Sequence, residues 1–139
     1  MNKRVEVVSE KEMRVVEVPI PKPPPKGVVV KIHYAGVCHS DVHLWVNKYK
    51  LADDNIVPFN VACPKYQFPR VLGHEIAGEV YSIGDAECKG APKLSKGDLV
   101  LVYPWTGCGT CEPCTKRREN LCADSANCAY GIGKDGGCC

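Results

Sequence analysis

Along the first third of the chain, apolar residues alternate with charged ones rather than recurring at helical spacing. Residues 3–8 and 13–20 alternate charge with valine, and the polar SEKE between them predicts a turn, so the segment predicts two short strands. The run PIPKPPPKG, 19–27, predicts an extended connector, because proline donates no backbone hydrogen bond and is excluded from helix interiors and central strands. Residues 28–35, VVVKIHYA, predict a third strand, and their weak alternation suggests partial cover on both faces. Gly36 reads as the end of that strand.

CHSDVHLW, 38–45, predicts a short helix with Ser40 or Asp41 available to cap it. Residues 46–69 are polar and irregular and hold three prolines. A connection that long in a small domain is usually functional or mobile. IAGEVYSI, 76–83, and DLVLVY, 98–103, predict two more strands around the loop GDAECKGAPKLSKG, and a cysteine-rich lobe runs from 107 to about 128. No internal repeat interrupts this order.

Composition sharpens the fold class. Valine occurs 18 times against seven leucines and two phenylalanines, with 11 prolines and 13 glycines. β-branched side chains suit a pleated surface, so a mainly β domain is expected. The 139 residues allow one domain with a modest core. A net charge of +2 does not point to nucleic acid or a membrane surface as partner. The basic run Lys116-Arg117-Arg118 reads as a solvated helix face. The N-terminus lacks the apolar core of a secretory signal, and no apolar run approaches the roughly 20 residues of a membrane span. A cytoplasmic location is therefore expected. In that setting ten cysteines read as metal ligands or reactive thiols before disulfides.

Cys108, Cys111, Cys114 and Cys122 follow the spacing C-x2-C-x2-C-x7-C. Each C-x2-C sets two sulfurs on a tight turn, Gly107 and Gly109 permit the backbone angles such turns need, and Cys122 closes the set after a short helical turn. Four thiolates with no open position describe a structural zinc site, whose binding energy would fold a loop of low apolar content. A redox C-x-x-C and a pair of disulfides are the alternatives. The first lacks its βαβ context, and the second needs an oxidising compartment.

A second group lies upstream: Cys38, His39, Ser40, Asp41 and His43, then Gly73-His74-Glu75. A lone cysteine is usually a small buried hydrophobe, and a lone histidine is more often structural than a ligand. Together they supply a thiolate, an imidazole and a carboxylate. Catalytic zinc sites use three protein ligands and keep a fourth position for water or substrate.

AGVCHSDVH, then LGHEIAGEV, then the four-cysteine lobe resemble, in content and order, the N-terminal part of the zinc-dependent, medium-chain alcohol dehydrogenases. The resemblance covers about residues 12–137. It implies a GroES-like, partly open β-barrel, and oxidation of small alcohols or reduction of aldehydes and ketones with NAD or NADP. By resemblance, Cys38 and His74 are ligands of a catalytic zinc, and Glu75 is a neighbouring carboxylate able to enter its shell. Ser40 takes the proton from the alcohol, His43 carries it outward, His39 contacts the coenzyme pyrophosphate and Trp45 walls the substrate pocket. Cys108, Cys111, Cys114 and Cys122 match the structural zinc lobe. Zinc would act on the alcohol oxygen as a Lewis acid, and hydride would pass to the nicotinamide.

The sequence departs from the family in three places. The only glycine-rich run, GIGKDGGCC at 131–139, lacks the preceding strand and following helix of a dinucleotide loop. A single domain without a coenzyme-binding Rossmann fold is therefore expected, inactive alone. The family's third catalytic ligand lies further on, and Cys138 and Cys139 come too early to match it. The loops 46–69, with Cys63, and 85–96, with Glu87 and Cys88, bear on substrate choice. The alternative is a truncated zinc module that associates with full-length subunits through an exposed apolar docking face.

Overall fold

In the computed structural model the alternating N-terminal run forms β1 (Asn2–Ser9), which turns through Lys11 at φ 60° into β2 (Glu12–Val18). Residues 1–86, 92–124 and 129–139 are described. Glu87, Cys88 and the last residues of the expected cysteine lobe lie outside them. The strands expected downstream are β3 (Val28–Gly36), β7 (Glu75–Ile83) and β8 (Leu99–Val102); between the first two lie the short strands β4 (Lys48–Lys50), β5 (Ile56–Pro58) and β6 (Arg70–Val71).

Three small antiparallel sheets result, in the orders β2-β1-β6, β3-β7-β8 and β4-β5. Among the described residues none closes on itself, in keeping with a partly open, mainly β architecture. No helix of the described residues is long and apolar enough to cross a membrane.

Two sequence expectations need correction. The third strand runs one residue further than expected, with Gly36 as its last paired residue, opposite Glu75, where a Cβ would overlap the Glu75 side chain. Partial cover on both faces holds along that strand, where the successive residues Val28, Val29 and Val30 are all half-buried, although Tyr34 is 77% exposed. The segment 46–69 is not irregular. It holds the β4-β5 hairpin and a short helix, α2 (Phe59–Ala62). Its order comes from four aromatic rings, Tyr49, Phe59, Tyr66 and Phe68, each meeting the next edge-on at 5.6, 5.5 and 5.4 Å between centroids. These anchors have no short-range period, so polar neighbours mask them in the sequence.

Tyr66 is fully buried with Val7, Leu44 and Leu72, and its hydroxyl donates to the Leu44 carbonyl at 3.0 Å. Trp45, Cys63 and Cys138 pack against this cluster. The final glycine-rich run threads between β1 and the 71–73 segment. The Gly136, Gly137 and Cys138 amides donate to the Val71, Gly73 and Leu72 carbonyls at 2.8, 2.9 and 3.0 Å, and the Val5 amide donates to the Cys138 carbonyl at 2.8 Å. The Asp135 carboxylate accepts from the Val71 amide at 3.2 Å and from Arg4 at 3.2 Å. The run is thus a brace behind His74.

Candidate metal centres

Helix α1 (His39–Trp45) begins at Cys38, which sits in extended backbone as its N-cap. Neither expected residue is the cap itself. The Cys38 sulfur accepts from the Ser40 amide at 3.2 Å, and the Asp41 carboxylate accepts from the Cys38 amide at 3.0 Å, a reciprocal capping box. The same buried carboxylate reaches across the chain to accept from the Gly73 amide at 3.0 Å. One side chain therefore fixes both the helix start and the turn that presents His74.

That turn needs Gly73, at φ +91°, where an added Cβ would meet the Cys138 sulfur. The outcome is that His74 Nε2 lies 3.1 Å from Cys38 Sγ although 36 residues separate them. Its other ring nitrogen, Nδ1, is buried without a hydrogen-bond partner and stands 3.6 Å from Asp41 Oδ1. Cys38, Asp41 and His74 place one ligand atom each within 4.8 Å of the others. A thiol and an imidazole nitrogen face one point, with a carboxylate behind the imidazole. A carboxylate that accepts the other ring N–H orients a metal-ligating histidine, and Asp41 stands just beyond that bonding distance. Asp41 stood in the upstream group and as a cap candidate in the sequence, but without a role at the site. Its signal was the Cys-x-x-Asp spacing of a capping box.

The other expected residues surround this point unequally. Glu75 lies outside the three-residue cluster, its carboxylate against Gly36. Ser40 is exposed one residue into the helix. His39 and His43, one turn apart, stack with centroids 4.6 Å apart and planes at 20°. Trp45 packs on the core, with Nε1 buried and without a hydrogen-bond partner.

In the lobe, α3 (Glu112–Thr115) and a 3-10 turn (Glu119–Leu121) carry the expected helical segment. Gly107 and Gly109 have φ +65° and +77°, and a Cβ on Gly107 would strike the Cys114 sulfur. All four sulfurs lie within 4.8 Å of one another, with Cys108–Cys114 at 4.0 Å and Cys111–Cys122 at 3.8 Å. Four sulfurs at about 2.3 Å from a tetrahedral zinc would be separated by about 3.8 Å, so the set fits that ion. Backbone amides support the thiolate form: Cys108 N and Asp124 N both donate to Cys122 Sγ at 3.3 Å. The Thr110 hydroxyl, with the Thr110 and Cys111 amides, pulls the Cys108 thiol down to about 5. The Gly109 amide also favours the Cys114 thiolate, but burial and the facing Cys111 and Cys122 sulfurs push that thiol up to about 12. Four adjacent thiols ionise together only around a cation. All eight described cysteines are free of disulfides.

Residues 24–139 match the alcohol dehydrogenase GroES-like domain. The chain belongs to this family. It is 42% identical over 115 residues to an NAD-dependent alcohol dehydrogenase of Sulfurisphaera tokodaii, a match covering 81% of this chain and 29% of that protein. Among solved structures it resembles galactitol-1-phosphate dehydrogenase from Escherichia coli, with a TM-score of 0.74 and 29% identity over 99% of this chain and 34% of the other. It also resembles an Escherichia coli protein described as a short chain alcohol dehydrogenase and complexed with NADH, with a TM-score of 0.73 and 29% identity over 98% of this chain and 34% of the other. The GroES-like domain of these oxidoreductases thus accounts for the mainly β fold, and the chain spans about a third of their length.

Proposed function

We propose that the chain is the zinc-holding part of the catalytic unit of an NAD- or NADP-dependent alcohol dehydrogenase acting on a small alcohol or carbonyl compound. It would work in the cytoplasm, with no nucleic acid or membrane as partner. The observation that carries this reading is the convergence of Cys38 and His74 at 3.1 Å, with Asp41 bonded to the backbone on both sides. Cys38 Sγ and His74 Nε2 are the ligands, and Glu75 is a carboxylate that can turn inward from Gly36. A zinc ion held there supplies Lewis acidity toward the substrate oxygen. Cys108, Cys111, Cys114 and Cys122 hold a second, structural zinc.

The chain's own residues then divide the remaining work. The exposed Ser40 hydroxyl accepts the substrate proton, and His43, a turn along the same helix, passes it to solvent. His39, exposed at the helix start, contacts the coenzyme pyrophosphate. Trp45 closes the inner wall of the substrate pocket. The 139 residues do not turn over alone, since among the described residues every named sheet is antiparallel and no parallel βαβ unit offers a coenzyme site.

The test is zinc per chain after purification under reducing conditions without chelator. Two ions are expected, with one lost in Cys38→Ser and the other in Cys111→Ser. A single ion that survives Cys38→Ser refutes the upstream site. NAD-dependent alcohol oxidation by the pure chain, above a Cys38→Ser control, refutes the claim of inactivity.

A second reading is a zinc-binding module that docks on longer subunits. It is favoured by the outer face of β3-β7-β8, where Tyr34, Leu99 and Leu101 are largely exposed.

A further inference from the structure

His39 and His43 lie four residues apart on α1, so both rings project from the same side of the helix, over successive turns. The rings stack at 4.6 Å, and neither makes a hydrogen bond or ion pair with any described residue. His33 differs: its Nε2 lies 3.7 Å from the Glu79 carboxylate. Two unengaged imidazoles held side by side are a bidentate set for a borderline divalent cation, because imidazole favours nickel, copper and zinc over harder ions. We propose that His39 and His43 form a third cation site, distinct from the two zinc centres, that takes a transition-metal dication from solvent.

The rings now lie face to face, so chelation requires each to turn about its Cβ–Cγ bond. That torsion has broad minima in histidine and is inexpensive to change. Burial does not oppose the motion, since His39 is exposed and His43 half-buried. Two protein ligands leave the remaining positions to water, so the site is weaker than either zinc centre and fills only when free cation is present. An ion there engages both imidazoles assigned above to coenzyme contact and proton relay. The binding itself does not depend on those assignments.

The probe is NiCl2, titrated calorimetrically into the untagged chain after both cysteine centres are loaded with zinc, with released zinc followed by a colorimetric chelator. One nickel per chain without zinc release is expected. His39→Gln and His43→Gln should each weaken it by about tenfold or more, the range that even indirect partners of a metal ligand command. His33→Gln should leave it unchanged. Both glutamine variants should retain their zinc, which shows that they fold. Nickel uptake that releases zinc, that is equal in all three variants, or that is absent from the parent chain overturns the proposal.

Discussion

Asp41 and Glu6 are two buried carboxylates with opposite kinds of work. Asp41 holds backbone: it accepts from the Cys38 and Gly73 amides, so removing it frees both ligand-bearing segments at once. Asp41→Ala is expected to weaken zinc at the Cys38–His74 site by about 10- to 100-fold and to leave the four-cysteine site unchanged. Competition with a graded chelator series separates the two. Equal loss at both sites would mean that the chain had merely unfolded. Glu6 instead holds charge. Its carboxylate accepts from Arg4 at 2.6 and 3.0 Å and from Arg14 at 3.0 and 3.1 Å. Those bonds, Arg4's first, hold it below the ordinary carboxylate range. A depressed folded value means that its contribution is complete above about pH 4.5, the unfolded value, and is lost as pH falls through the lower folded one. The arginines are partly exposed, so the screened contribution is about 1–2 kcal/mol. Glu6→Gln should lower the melting temperature by several degrees at neutral pH and flatten its fall toward pH 3. An unchanged acid limb would show that the pair is silent.

The strands were legible in the sequence wherever valine alternated with charge, as in β1 and β2, because period two is a local property. The four-cysteine lobe was legible because its spacing encodes its own geometry. The hairpin and α2 within 46–69 were not. Tyr49, Phe59 and Tyr66 find each other through tertiary contact, and nothing in their immediate neighbours signals it. The cap of α1 was half legible: Asp41 does cap the Cys38 amide, but cysteine is a poor prior for the N-cap itself until its sulfur is seen to accept the Ser40 amide. The same distinction between local and tertiary order sets what zinc removal should do. None of the lobe's residues packs on the Val7–Leu44–Tyr66–Leu72 cluster, so its fold is expected to depend on a bound ion. A strong chelator should raise amide exchange in 107–124 by orders of magnitude while Leu44 and Tyr66 stay protected. Simultaneous loss of protection throughout would make the lobe part of the core.

Over the whole molecule, the outer face of β3-β7-β8 leaves Tyr34, Leu99 and Leu101 at 77, 80 and 86% exposure. Apolar patches of this kind drive association, so the chain is expected to self-associate with rising concentration. Leu99→Lys with Leu101→Glu should return it to a monomer with its zinc retained. Sedimentation velocity decides, and a wild-type monomer at high concentration would leave that face without a partner of its own kind. A different consequence attaches to the brace formed by Gly136, Gly137 and Cys138 behind Leu72 and Gly73. The turn that aims His74 is completed by residues made roughly 65 positions later. At about 5–20 residues per second, synthesis delivers them some 3–13 s after His74 itself. The aim of His74 toward Cys38 is therefore completed only once a segment made well after both residues has been delivered.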